Sequence, residues 1–422
     1  MPPTMSRTAA PRSHMSTSAA TPPSAEEIQR SSAWSVFLIF LRLGLTSFGG
    51  PIAHLGYFRS EFVERRRWLD DRSFSDLVAL CQFLPGPASS QVGLAVGLSR
   101  AGWAGAAAAW AGFTLPSAIV LTLFAYGIAR YGELANSGAV HGLKVAAVAI
   151  VAQAVWGMAK ALCPDRPRAG LAIFTALLTL ALPSSVGQVA AIVVSGLVGW
   201  RFLKLAHQAP REHQEFGVSR RAGIIALAFF FLLLLGLPLA AEATSSSLLH
   251  LFNGFYRSGA LVFGGGHVVL PLLRAVVVPG GVVSNSEFLA GYGAAQAIPG
   301  PLFTFAAYLG AVMHGPVSGW LGAGTFLAAI FLPAFLLVVG VLPFWDALRQ
   351  RDAVQSAMAG INAGVVGILL SALYDPVWTS AIHARADFGL ALATFGLLVY
   401  ARASPAVAVG LAAAGGWALS LL

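Results

Sequence analysis

Five stretches of the chain, residues 101–129, 169–200, 222–241, 353–374 and 403–422, contain no charged side chain at all. Each is long enough to cross the hydrocarbon of a bilayer as a helix, which takes about 20 residues. A soluble domain would have to hide every face of these runs and has no room for them all. A membrane barrel would instead show segments of about ten residues with alternating polarity, whereas these runs are apolar on every side. Helices in a membrane remain. Composition agrees, since 10% of the residues are charged and 57% hydrophobic, against about a quarter charged in soluble domains.

The sequence therefore predicts an all-α polytopic membrane protein of about 13 (12–14) transmembrane segments, beginning near residues 34, 73, 103, 141, 169, 186, 222, 248, 287, 317, 353, 387 and 404. The run 169–200 holds two short segments meeting at Pro183-Ser184-Ser185. Residues 1–33, rich in Ser, Thr, Pro and Ala, lack the apolar core of a signal peptide and read as a disordered tail. The longest polar interruption, residues 201–221, carries Lys204, Arg211, Arg220 and Arg221 and reads as a cytoplasmic linker. The net charge of +9 would suggest nucleic acid in a soluble protein; here it marks cytoplasmic loops, and the bilayer is the expected partner. Cys81 and Cys163 are too few for a disulfide framework or a four-thiolate metal site.

The chain repeats itself. Phe40-Leu41-Arg42-Leu43-Gly44 and Phe48-Gly49-Gly50 return 215 positions later as Phe255-Tyr256-Arg257-Ser258-Gly259 and Phe263-Gly264-Gly265. Gln82-Phe83-Leu84-Pro85-Gly86-Pro87 returns after 214 as Gln296-Ala297-Ile298-Pro299-Gly300-Pro301. Ordered matches at a nearly constant offset point to duplication, and in a membrane protein to a transporter with its substrate near the repeat interface. The division is a first repeat at 34–205, a linker with one connecting helix at 206–245, and a second repeat at 246–422. If the linker is cytoplasmic and its helix crosses once, the repeats have inverted topology. On that count the basic segment from Arg59 to Arg72 lies outside, unless the first two apolar segments are re-entrant, which places it inside.

Gly-Gly and Pro-Gly-Pro should break or kink their helices, because proline removes a backbone donor and clashes with the preceding turn. Backbone exposed at membrane depth needs protein or a water-filled cavity to satisfy it, and a helix N-terminus facing a cavity suits an anion; the competing reading is a kink that only tightens packing. Arg42 and Arg257 each lie inside an apolar stretch with no acid nearby in the same segment. Charge at that depth is costly, and two guanidiniums would balance a divalent oxyanion; snorkelling is the alternative. On this reading Gly49, Gly50, Gly264 and Gly265 supply backbone donors, and Pro85, Gly86, Pro87, Pro299, Gly300 and Pro301 form hinges. Gln82, Gln296, Ser89, Ser90, Gln91 and Thr304 add neutral hydrogen bonds, asymmetrically, since Phe303 and Phe305 flank Thr304. His54, His267, Lys144 and Asn362 are candidates for proton coupling or anion contact. No phosphate-binding loop, His-Glu-x-x-His motif or dinucleotide fingerprint occurs, so neither an enzyme nor a cofactor is expected.

Phe48-Gly49-Gly50-Pro51-Ile52-Ala53-His54, Phe62-Val63-Glu64-Arg65-Arg66-Arg67-Trp68-Leu69 and Gln82-Phe83-Leu84-Pro85-Gly86-Pro87 with Gln91 resemble the signature of the chromate ion transporter family. Phe263-Gly264-Gly265-Gly266-His267-Val268-Val269-Leu270-Pro271 and the second Pro-Gly-Pro are similar to its C-terminal domain, so that the resemblance runs from about Trp34 to Leu422 in the long-chain, two-domain layout. It implies an inner-membrane secondary transporter that exports chromate and confers resistance, with sulfate as the chemical mimic. A proton as coupling ion and a homodimer are compatible with that layout. The rivals are a permease for sulfate or another oxyanion and a membrane scaffold without transport.

Overall fold

The computed structural model describes residues 31–47, 50–130, 137–182, 185–203, 218–263, 268–349 and 351–421. Of the tail expected at 1–33, residues 1–30 lie outside this set. Among the described residues every regular element is helical.

The first half runs through α1 (Ala33–Thr46), α2 (Gly50–Arg59), α3 (Asp71–Phe83), α4 (Ala88–Arg130), α5 (Gly138–Leu162), α6 (Arg166–Ala181) and α7 (Ser185–Phe202). The sequence sets their starts. Ser32 accepts the Ser35 N–H at 3.1 Å to open α1, and Asp165 accepts the Arg168 N–H at 2.9 Å to open α6. The connecting helix α8 (Arg220–Thr244) is apolar all round, with Ile225, Leu232, Leu235 and Leu239 exposed to the outside as lipid contact requires. The second half brings α9 (Ser247–Ala260), α10 (Val269–Val277), α11 (Asn285–Ala297), α12 (Phe305–Val312), α13 (Gly319–Val341), α14 (Asp352–Ala372), α15 (Arg385–Val399) and α16 (Pro405–Leu419). The same order of elements is thus run through twice.

Helix α4 is two helices. Its 43 residues as a straight rod would be about 65 Å long, twice the hydrocarbon thickness. Instead Ala101 (φ −139°) and Gly102 (φ 60°) leave helical geometry, and the chain turns back on itself. Gly97 and Gly105 meet across the turn so closely that a Cβ on Gly97 would sit 2.4 Å from the Gly105 carbonyl oxygen. The second half does the same with α12 and α13, where Gly310 faces the Gly322 carbonyl at 2.3 Å by the same measure. Glycine at such crossings lets helix backbones touch, which is how helices associate where lipid removes the hydrophobic drive.

Among the described residues, five helices are long and apolar enough to cross a membrane, at Ala88–Arg130, Gly138–Leu162, Arg220–Thr244, Gly319–Phe344 and Asp352–Ala381. Others expected as spans are shorter; the segment expected from residue 73 is α3, only 13 residues long. Counting by apolar length treats a break as a loop, whereas here glycine and proline cut a span into pieces that stay packed in the protein.

The terminal hairpins are exchanged. α5 packs on α15 and α16 of the second half, and α14 packs on α6 and α7 of the first. Glycines seat both contacts: a Cβ on Gly142 would lie 2.1 Å from the Ala412 carbonyl oxygen, and one on Gly360 would lie 2.2 Å from that of Ser195.

Candidate functional site

The site is built where helices stop. α1 ends at Thr46, Ser47 closes its last turn by donating to the Leu43 carbonyl at 2.8 Å, and α2 starts at Gly50. Pro51 in the first turn of α2 needs no backbone partner. Between α3 and α4, and again between α11 and the turn at Leu302–Thr304, stands a Pro-Gly-Pro. Gly86 has φ +120° and Gly300 φ +104°, backbone that other residues rarely adopt.

Each turn is held by the opposite half. The Gly86 N–H donates to the Val262 carbonyl at 2.7 Å, and the Gly300 N–H donates to the Ser47 carbonyl at 3.0 Å. Ser47 and Val262 are equivalent positions, as are Gly86 and Gly300, at offsets of 215 and 214 residues. A Cβ on Gly86 would lie 3.0 Å from Ala334 Cβ, and one on Gly300 would lie 2.7 Å from Ser117 Oγ, again equivalent positions on α13 and α4. Two reciprocal bonds of this kind join the broken end of each first helix to the other half's Pro-Gly-Pro.

Polar side chains lie on the segments that form this crossing. His54 is buried, with Nε2 donating to the Ser47 carbonyl at 3.2 Å, Nδ1 accepting from the Ser89 hydroxyl at 3.3 Å, and its ring edge-on to Phe113 at 5.2 Å. These bonds are those of a neutral imidazole with its proton on Nε2. Gln91 donates from Nε2 to the Pro85 carbonyl at 2.8 Å, so the turn itself aims the amide. The other polar atoms here have no hydrogen-bond partner among the described residues: Ser47 Oγ, Ser90 Oγ, Gln91 Oε1, Thr114 Oγ1 and Gln296 Nε2 are all buried. Each such orphan costs about 1–3 kcal/mol unless water or a ligand meets it.

The second half differs. Thr304 is buried and donates to the Pro301 carbonyl at 2.8 Å. Its neighbours Phe303 and Phe305 pack into an aromatic wall, Phe305 stacking on Tyr308 at 5.9 Å and edge-on to Phe288 at 5.1 Å. Gln296 is half-buried, and its Nε2 has no hydrogen-bond partner among the described residues.

Arg42 is exposed on α1 and Arg257 half-buried on α9; neither guanidinium has a carboxylate partner among the described residues, and no recorded contact joins the two. Gln82 is exposed. Lys144 donates to Ser286 Oγ on α11, and Asn362 on α14 is half-buried with an orphan Oδ1. Gly49, Gly264, Gly265 and His267 lie outside the described residues. Sequence reasoning missed Ser47 and Thr114, although Ser47 directly precedes the Phe48-Gly49 break and Thr114 stands two residues before Pro116.

The basic segment after α2 balances itself. Glu61 binds Arg65 at 3.0 Å and Arg66 at 2.5 Å, while Arg59 pairs with Glu64 and with Asp71 at 2.7 Å. Burial pulls the Glu61 carboxyl upward, but the hydrogen bonds from Arg66 and Arg65 outweigh it and hold the group below the ordinary glutamate range. Among the described residues no group of three His, Cys, Asp or Glu side chains could hold a metal ion.

Apolar helices of crossing length, glycine-seated contacts and a polar crossing of broken helices define a helical, multi-pass membrane protein. Comparison with known sequences narrows the class. The family model described as "Chromate transporter" matches twice, at residues 34–200 and 249–417, and the chain belongs to that family. It is 28% identical to a chromate transport protein of Pseudomonas aeruginosa over 345 residues, 81% of this chain and 80% of the other. With a chromate transport protein of Cupriavidus metallidurans it shares 26% identity over 394 residues, covering 91% and 93%. An uncharacterized transporter of Methanocaldococcus jannaschii is 26% identical over 352 residues, covering 82% and 85%. No solved structure matches the chain.

Proposed function

We propose that the protein is a secondary active transporter that exports chromate across the inner membrane by alternating access and so confers chromate resistance. The observation that carries the site is the set of orphaned buried polar atoms at the reciprocal Pro-Gly-Pro crossing. Ser89 and Ser90 follow the first Pro-Gly-Pro in the first turn of α4, where backbone N–H groups have no helical acceptor, and Gln91 comes next, its own N–H donating to the Pro87 carbonyl at 3.0 Å. A tetrahedral dianion meets such donors, and the serine and threonine hydroxyls turn to donate to it. Arg42 and Arg257 balance the charge along the path, Gln82 and Gln296 add neutral contacts, and the two glycine turns are the hinges. Because each turn is bonded to the other half, the halves exchange these contacts as they rock, and two inverted repeats around one site fit that motion.

Chromate flux into proteoliposomes tests the reading. Gln91→Leu and the paired Arg42→Ala, Arg257→Ala protein should each transport at least about tenfold more slowly than the parent. Parent-like flux in both would sink the site, and competition by labelled sulfate decides between oxyanions.

A further inference from the structure

A second polar cluster lies away from the crossing, where α5 of the first half meets α15 and α16 of the second. His141 Nε2 lies 2.8 Å from Asp387 Oδ1, a pair 246 residues apart in sequence. Asp387 spends its other oxygen on the N-terminus of α15, accepting the backbone N–H groups of His383 and Ala384 at 2.9 Å each. The His383 ring lies over that of His141 at 6.4 Å. Lys144, one turn further along α5, is half-buried and donates to the Ser286 hydroxyl; no carboxylate meets it among the described residues. His141, Lys144, Asp387 and Ser420 line an open cleft of about 580 Å³.

We propose that this cleft is a vestibule for a small divalent oxyanion, held by Lys144 and opened to it by protonation of His141. The proposal rests on the transport reading for its biological use but not for its chemistry. With His141 neutral, Asp387 cancels Lys144 and the cleft carries no net charge. With His141 protonated, the His141–Asp387 pair is neutral and the ammonium of Lys144 is left over for an anion. Asp387 repels an anion while His141 is neutral, and the imidazolium at 2.8 Å offsets that repulsion once His141 is protonated. The titratable groups on the elements packed against His141 are few. They are Lys144 and Lys160 on α5, Glu287 and Tyr292 on α11, Tyr374 and Asp375 before Thr379–Ala381, then His383, Arg385 and Asp387, and Asp352 at the start of α14; α16 has none. Glu287 is occupied in capping α11 through the Ser284 N–H at 2.9 Å, and Asp375 is exposed beside Arg274. Falling pH favours the protonated imidazole, so the cleft fills on the more acidic side.

The test is equilibrium binding of sulfate to the full chain in nanodiscs, by calorimetry, at about pH 6 and about pH 8. Sulfate stays doubly charged throughout, so any pH dependence belongs to the protein. The parent should bind about tenfold more tightly at the lower pH. His141→Gln should lose that pH dependence, and Lys144→Gln should weaken binding about ten- to a hundredfold while Lys144→Arg binds like the parent. Unchanged binding in Lys144→Gln, pH dependence persisting in His141→Gln, or no saturable sulfate binding at either pH overturns the vestibule. So does sulfate binding that vanishes when the zwitterionic lipid is replaced by an anionic one, since the occupant is then a headgroup phosphate. Flux measured on the same preparations separates the two readings: Lys144-dependent binding without parent flux sinks transport alone, and parent flux without Lys144-dependent binding sinks the vestibule alone.

Discussion

The two Pro-Gly-Pro turns share a backbone and differ in what surrounds them. Both glycines have positive φ, both donate to the broken end of the opposite half's first helix, and both abut the opposite half's long proline-containing helix. After the first turn come Ser89, Ser90 and Gln91, with His54 packed behind them; after the second come Phe303, Thr304 and Phe305 in an aromatic wall. The two turns thus share their backbone geometry and their bonds to the opposite half, while the side chains that follow them are polar in the first half and largely aromatic in the second.

The largest expected effect treats the turns alike. Gly86→Ala and Gly300→Ala place a Cβ at positive φ and against the opposite half, at 3.0 Å from Ala334 Cβ and 2.7 Å from Ser117 Oγ. Each should lower the thermal midpoint in detergent and cut chromate flux by about a hundredfold or more, from at least about 1–2 kcal/mol of backbone strain plus the clash. If only one substitution matters, the reciprocity has no mechanical meaning. The next prediction separates them. Ser90→Ala should reduce flux about tenfold with little change in stability, because it removes an orphaned polar atom, whereas Phe305→Leu should destabilise by about 1–3 kcal/mol and leave the apparent affinity for chromate unchanged. Affinity that shifts in Phe305→Leu but not in Ser90→Ala would reverse the assignment.

A smaller effect is expected where the first half alone has a charged surface segment. Glu61 is held below its usual 4.5 by Arg66 and Arg65. A depressed carboxyl contributes stability that is present above its unfolded value and is lost as the pH falls through its lower folded value. The parent should therefore lose thermal stability below about pH 4.5, and Glu61→Gln should flatten that part of the profile by no more than about 1 kcal/mol, since its arginine partners are solvent-exposed. An unchanged acid profile in Glu61→Gln would mean that the pairs add nothing measurable.

Much of this architecture was legible in the chain. The charge-free runs gave helices, and the duplicated Phe-Gly-Gly and Pro-Gly-Pro motifs placed the breaks, because glycine and proline act on the backbone locally whatever the rest of the protein does. The asymmetry of Ser90 against Thr304 could also be read directly. The span count was less legible: α3 is 13 residues long and α4 leaves helical geometry at Ala101 and Gly102, so that its first arm is too short to cross, whereas a window over the sequence registers only apolar length. Arg42, the sharpest charge in the sequence, is exposed, since helical periodicity fixes which residues share a face but not which face the neighbours cover. His141 and Asp387 gave no signal, being 246 residues apart.

By itself the sequence determined that the protein lives in a bilayer as helices, that it is built twice, and where its helices must break. Those properties follow from the cost of placing charge and unpaired backbone in hydrocarbon, which acts on each segment separately. Only the tertiary structure decided that each Pro-Gly-Pro is bonded to the other half, that the terminal hairpins are exchanged, and that buried polar atoms of Ser47, Ser90, Gln91, Thr114 and Gln296 find no partner among the described residues. Hydrogen bonds and close helix crossings depend on which surfaces meet, and that is a property of the folded chain as a whole.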